Sequence, residues 1–202
     1  PATLINIDEV KSRCSTTKKR EEIYALFKSF GLNYGPSFQS IQELYSNGKE
    51  ALTKLSLPED LKEGFKDYIL HPTLMDGALQ TAAGIAQDDQ ISNNGLYLRF
   101  GLGEVEIIRP LKEDCYAYAT LAQDNSSNAN TELKKFNISI IDEEGNILIK
   151  IKDFSVRALK LQHHKEISPL LYYQPIWEKT ELATATDKEV LGSILIFDHK
   201  EE

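Results

Sequence analysis

Apolar residues fall at helical spacing between Lys18 and Phe30, where Ile23, Leu26, Phe27 and Phe30 share one face and charges take the other. Gly31 follows as a helix stop. Residues 1–16 show no such period and read as an irregular lead-in or linker. The Gly35-Pro36 pair marks a turn. Phe38–Tyr45 and Glu50–Leu57 then read as two strands around an Asn47-Gly48 hairpin turn. Pro58–Tyr68 is polar and reads as a short helix or loop. From Pro72 to Ala86, apolar side chains occupy nearly every side of one helix, which predicts burial rather than a surface position. Pro72 suits its first position, where a missing N–H costs nothing. After a polar loop at Asp88–Gly95 come four strand-like segments: Leu96–Pro110, Cys115–Gln123, Leu133–Asp142 and Ile147–Leu159. A loop at Asp124–Asn130 separates the middle two, and Asp142–Asn146 is a tight turn between the last two.

Helix, hairpin, buried helix and consecutive strands predict an α+β fold in which a curved antiparallel sheet wraps around a central helix, each burying the other's apolar side. Gln162–Ser168 breaks the pattern, and His163-His164 reads as solvated linker because no third metal ligand lies at useful spacing. Leu170–Trp177 and Ile194–Asp198 then read as the start of a second unit or a docking tail.

Composition narrows the function more than the fold. The 202 residues are 41% hydrophobic and 27% charged, as in an ordinary globular chain. With 23 basic and 31 acidic residues the net charge is −8, which disfavours nucleic acid as a partner. No apolar run approaches the ~20 residues of a membrane span. Cys14 and Cys115 read as reduced thiols, which suits the cytoplasm. The sequence holds no nucleophile elbow, P-loop, dinucleotide fingerprint or zinc pattern, which argues against hydrolase, kinase and metalloenzyme readings.

Asp76 stands out because it lies in the first half of the apolar helix, where an isolated ionised carboxylate would be costly. It must be paired, protonated or lining a cavity. Desolvation would favour the neutral acid, which can donate a proton near neutral pH. Gln80, four residues on, shares its helical face and can fix its rotamer. Alternatively, Asp76 serves only the first helical turn through the macrodipole. His71 precedes the helix by about a turn's distance from Asp76 and by itself reads more readily as a structural histidine. The Tyr34-Gly35-Pro36 turn either is purely structural or aims the Tyr34 hydroxyl into a cleft.

Two segments together resemble the dehydratase domain of modular polyketide synthases. Gly31-Leu32-Asn33-Tyr34-Gly35-Pro36-Ser37-Phe38 matches that family's G-x-x-Y-G-P-x-F, and His71-Pro72-Thr73-Leu74-Met75-Asp76-Gly77-Ala78-Leu79-Gln80 matches its H-P-x-x-x-D-x-x-x-Q. Phe100-Gly101-Leu102-Gly103-Glu104-Val105 resembles the family's next strand. The resemblance covers roughly residues 5–160.

It implies two hotdog folds fused in one chain and removal of water from a β-hydroxyacyl thioester. The substrate would arrive on the phosphopantetheine arm of an acyl carrier protein, with no resident cofactor or metal. A histidine of the first hotdog would take the α-proton and Asp76 would protonate the departing hydroxyl. Gln80 and Tyr34 would orient it, while Gly35, Pro36, Phe38 and His71 would contribute to substrate binding. The chain shows no H-x-x-x-G-x-x-x-x-P, the motif carrying that histidine, so it resembles the C-terminal hotdog, residues 17–160. Implied partners are the carrier protein, an N-terminal hotdog half or second hotdog, and neighbouring synthase domains. Residues 161–202 resemble a linker and the opening of a ketoreductase structural subdomain. Arg99 stands where the family has proline, an expected change to the tunnel rim rather than to the acid. A double-bond isomerase, a pyran-forming cyclase and a non-catalytic scaffold or carrier-docking module remain alternative readings.

Overall fold

The computed structural model describes residues 4–86, 96–122 and 133–159. The expected loops at Asp88–Gly95 and Asp124–Asn130, and every reading from Gln162 onward, lie outside the described residues. The chain divides into two units between Gln162 and His163, and all the described residues belong to the first.

The lead-in is not irregular. It holds helix α1 (Ile7–Arg13) and strand β1 (Thr16–Lys19). Asn6 caps α1 by accepting the Glu9 N–H at 3.1 Å; Asp8 and Glu9 in its first turn and Lys11 and Arg13 in its last suit the helix dipole. Only Val10 of this helix is fully buried, so the apolar period is too sparse to announce it. Helix α2 (Arg20–Ser29) begins two residues later than its sequence pattern, because Lys18 and Lys19 belong to β1. Gly31 ends this segment at φ +83°, in the left-handed region that glycine tolerates.

A 3-10 turn (Pro36–Phe38) takes Phe38 out of the expected strand, leaving β2 (Ile41–Ser46) paired with β3 (Glu50–Ser56) around Gly48 at φ +79°. The central helix is broken into α3 (Pro72–Gln80) and α4 (Ala83–Ala86). Next to the break, the Thr81 hydroxyl reaches back to the Gly77 carbonyl at 3.2 Å and also meets the Thr53 hydroxyl at 2.6 Å. Leu96–Pro110, expected as one strand, is two: β4 (Leu96–Gly101) and β5 (Glu104–Ile107). Strands β6 (Asp114–Leu121), β7 (Leu133–Ile141) and β8 (Ile147–Leu159) complete the set.

Among the described residues, eight strands form one antiparallel sheet in the order β1-β2-β3-β6-β7-β8-β4, with β5 also paired to β8. One face wraps α3 and α4: Leu74, Ala78, Ala82 and Ile85 pack with Leu55, Ala117, Phe136, Ile138, Ile149 and Phe154. On a second cluster, Val10 of α1 packs with Leu52, Tyr116 and Ile141. Cover on both sides explains why Ala51, Leu52 and Thr53 are buried in succession, where a half-solvated strand would alternate.

The central helix is not buried all round. Pro72 is exposed and Met75, Asp76, Leu79 and Ala83 are only half-buried. These positions are spaced i, i+3, i+4, i+7, i+11, so they form one less buried stripe, in which Met75, Leu79 and Ala83 still pack on the margin of the core. Asp76 lies in that stripe.

Candidate functional site

Three elements bring the polar groups together. Helix α3 carries Asp76 and Gln80, α2 carries Tyr24, and the turn after α2 carries Tyr34. Gly77 lets α3 lie directly against the sheet, since a Cβ there would run into the Ser40 hydroxyl and stand 3.1 Å from Leu55 Cδ2. That close approach fixes the depth of the neighbouring Asp76.

The Asp76 side chain is 14% exposed. Its Oδ2 accepts a hydrogen bond from Gln80 Nε2 at 2.6 Å. Gln80, 3% exposed, is itself pinned: Nε2 also donates to the Phe38 carbonyl at 3.1 Å, and Oε1 accepts from the Tyr24 hydroxyl at 3.1 Å. The same Tyr24 oxygen accepts the Ile41 N–H at 3.0 Å. Burial pushes the Tyr24 phenol above its ordinary range despite the Ile41 hydrogen bond, so it stays a neutral donor. Tyr34 packs edge-on against Phe27 and Tyr24, with ring centroids 5.2 and 6.0 Å apart. Burial likewise raises its phenol, although Arg99 opposes the rise.

Asp76 Oδ1 is ion-paired with Arg99 Nη1, and Arg99 Nη2 donates to the Tyr34 hydroxyl at 3.2 Å. Burial works against the Arg99 charge, but the Asp76 hydrogen bond and charge, together with Tyr34, outweigh it and hold the guanidinium above its ordinary range. Arg99, expected to alter only the rim, therefore touches the acid itself. Of the three outcomes open to a carboxylate on this helix, the structure realises pairing.

The remaining predicted site residues sit around this group. Pro36 opens the 3-10 turn after Gly35, and Phe38 supplies the carbonyl that Gln80 uses while its ring stays exposed. His71, 4% exposed, lies between Phe65 and Tyr68, with ring centroids 5.9 and 5.0 Å away. Its Nδ1 is buried without a hydrogen-bond partner, and burial lowers its pKa, keeping the imidazole neutral. Sequence reasoning missed Tyr24; Ile23 and Phe27 mark this helix face as buried, but the hydrogen bond across to Gln80 is tertiary.

Among the described residues, no group of three His, Cys, Asp or Glu could hold a metal ion, and no helix is long and apolar enough to cross a membrane. An open cleft of about 560 Å³, lined by Arg20, Gln42, Glu43 and Lys54 among others, contains none of the residues gathered at Asp76.

Residues 6–166 match the family described as the polyketide synthase dehydratase N-terminal domain. The chain belongs to the polyketide synthase dehydratase family. Relatives of this dehydratase-family chain include polyketide synthases PksM and PksN of Bacillus subtilis (strain 168), 31% and 30% identical over 94% and 96% of the chain. The chain spans only 5% and 4% of their lengths. Similar solved structures include two dehydratase domains. A trans-AT dehydratase domain from Brevibacillus brevis has TM-score 0.69 and 27% identity, over 79% of this chain and 54% of that one. The dehydratase domain from the CurK module of the curacin polyketide synthase has TM-score 0.68 and 28% identity, over 79% and 53%. The fold is thus the hotdog of these dehydratases, and the chain spans about half of each solved domain.

Proposed function

We propose that this dehydratase-family chain is the C-terminal hotdog of a β-hydroxyacyl dehydratase and supplies Asp76 as its proton donor. The observation that carries this reading is the placement of Asp76 on the one open stripe of α3, with its carboxyl held by Gln80 and facing the Tyr34 hydroxyl across Arg99. In the matched family description this domain is called N-terminal; the C-terminal assignment rests on the H-P-x-x-x-D-x-x-x-Q motif and on the absence from this sequence of the histidine motif.

In the proposed reaction the substrate is a thioester on a carrier protein's phosphopantetheine arm. A histidine of the partner hotdog takes the α-proton, the Cα–Cβ double bond forms and the Cβ–O bond breaks. The hydroxyl leaves as water with the proton from the Asp76 carboxyl. Gln80 and Tyr34 orient the acid and the departing oxygen, and Gly35, Pro36 and Phe38 shape the adjoining wall, with His71 supporting the start of α3. Two solved inactive mutants of the CurK domain, one with a histidine replaced by phenylalanine and one with an aspartate replaced by asparagine, support a two-residue division of labour.

The partner hotdog has a surface to meet. Leu98, Phe100, Leu102, Val105, Ile107 and Ile108 are all exposed on and around β4 and β5, with Phe100 at 64%. Such an apolar edge invites pairing. A second reading, as a double-bond isomerase, cyclase or carrier-docking scaffold, is favoured by one observation: in this structure the acid is engaged by a cation.

The test is to supply the N-terminal hotdog and follow a 3-hydroxyacyl carrier substrate by mass. Loss of water that falls at least about a hundredfold in Asp76→Asn supports the proton-donor role. Unchanged turnover in that variant removes Asp76 from the mechanism, and carrier binding without chemistry supports the scaffold.

A further inference from the structure

The stripe on α3 and the sheet edge beside it pose a steric problem for the proton-donor role. Asp76 Oδ2 is engaged by Gln80, Oδ1 by Arg99, and the Tyr34 oxygen by the same Arg99. The guanidinium thus fills the gap between the two groups that would hold a leaving hydroxyl. We propose that Arg99 is a displaceable latch on the acid, closing the hydroxyl site until an incoming substrate moves it aside. This rests on the reading of Asp76 as the proton donor.

Three observations carry the proposal. The first is position: Arg99 lies in β4 opposite Val156, and the register slips between Arg99 and Gly101. Such an irregularity re-aims side chains from a strand, and here the arm lies across α3. The second is an exit to solvent. The Arg99 side chain is 41% exposed against 14% for Asp76, so the arginine can leave for solvent while the acid stays in place. A partly exposed ion pair is only modestly stable, which suits a contact that must open on each turnover. The third is chemistry. An arginine stays charged throughout the working pH range and matches a carboxylate and a hydroxyl with its forked donors.

While the latch is closed, both carboxyl oxygens and the Tyr34 hydroxyl are engaged, and no room is left between them for a substrate hydroxyl. When it opens, Asp76 can meet the substrate oxygen. The titratable and charged groups facing the carboxyl among the described residues are Arg99 of β4, Tyr34 of the turn after α2 and Tyr24 of α2, with Arg20 beyond Tyr24. Both phenols are held neutral by burial, so Arg99 is the charged group in contact with the carboxyl. The latch therefore excludes hydroxyls too weakly held to displace it.

The experiment uses the complete dehydratase, with Arg99→Ala, Arg99→Gln and Arg99→Lys compared on a 3-hydroxyacyl carrier substrate. Removing the arm is expected to lower KM and to raise kcat/KM about tenfold. Lysine, which keeps the charge but loses the fork, falls between. Unchanged KM and kcat/KM in both Ala and Gln variants, or a fall in kcat that lysine restores, overturns the latch. A readout independent of turnover is the ¹⁵N spectrum of the Arg99 guanidinium in the full chain. Slow N–H exchange that Asp76→Asn abolishes supports the closed state, and fast exchange in the unsubstituted protein overturns it. Should the latch signatures hold while Asp76→Asn still dehydrates, the proton-donor reading fails and the Arg99 contact stands.

Discussion

Replacing Gly77 by alanine tests how the acid is held at its depth. The new methyl would run into the Ser40 hydroxyl, which is fully buried and donates to the Thr73 carbonyl at 3.2 Å. It would also press Leu55 Cδ2 at 3.1 Å, tighter than ordinary contact. Ser40 must rotate and give up its hydrogen bond, at about 0.5–1.5 kcal/mol, and the Leu55 contact adds the ~1–3 kcal/mol typical of overpacking. Alanine regains about 1 kcal/mol of helix propensity. The net expectation is a loss of about 0.5–3.5 kcal/mol in urea unfolding of the full chain. The decisive comparison is a double-mutant cycle with Ser40→Ala. That change removes the overlapping oxygen and leaves only the Ser40 Cβ, at an ordinary 3.5 Å. The double variant should recover at least about 1 kcal/mol relative to the sum of the single losses. A Gly77→Ala protein as stable as the parent, or a strictly additive cycle, would refute the idea that helix and sheet meet through this contact.

Tyr24→Phe strands the buried Ile41 N–H and frees Gln80 Oε1. It should cost about 1–3 kcal/mol in the same assay, with a larger fall in dehydration kcat than a surface Tyr→Phe change. Glu50 is held down from 4.5 to about 2, chiefly by the Arg13 hydrogen bond, with the Tyr118 and Asn47 bonds assisting. A depressed carboxylate stabilises the fold above its unfolded value, and that contribution disappears as pH falls through about 2. Glu50→Gln should therefore be less stable than the parent at pH 7, and urea titrations should show the gap closing towards pH 2. The Cys115 thiol is buried and pushed up to about 12, whereas Cys14 is partly exposed. A thiol reagent should label Cys14 alone until denaturant exposes Cys115, and equal labelling rates in the native protein would contradict the burial.

Much of the wrapped sheet was legible, and the reasons are local. The hairpin around Asn47-Gly48, the stop at Gly31 and the density of apolar residues after Pro72 are signals that tertiary context only had to accept. Asp76 and Gln80 share a face by helical arithmetic alone, and the structure joins them at 2.6 Å. Helix α1 was illegible to periodicity because its core contribution is essentially Val10, although the Asn6 cap and the graded charges were in the sequence. The break after Gln80 depends on Thr81 finding Thr53 across the core, a partner no local window contains. The Arg99 contact was hidden for the same reason: it needs the β4–β8 irregularity, which strand alternation does not announce.

One phenol ties three elements to the acid. The Tyr24 oxygen takes the first N–H of β2 and gives its proton to the glutamine that steadies Asp76. A small rotation or slide of α2 would thus be transmitted to the carboxyl through a relay only two bonds long. The tilt of the carboxyl can be retuned by substitutions on α2, behind it, with no change to the residues on its exposed side.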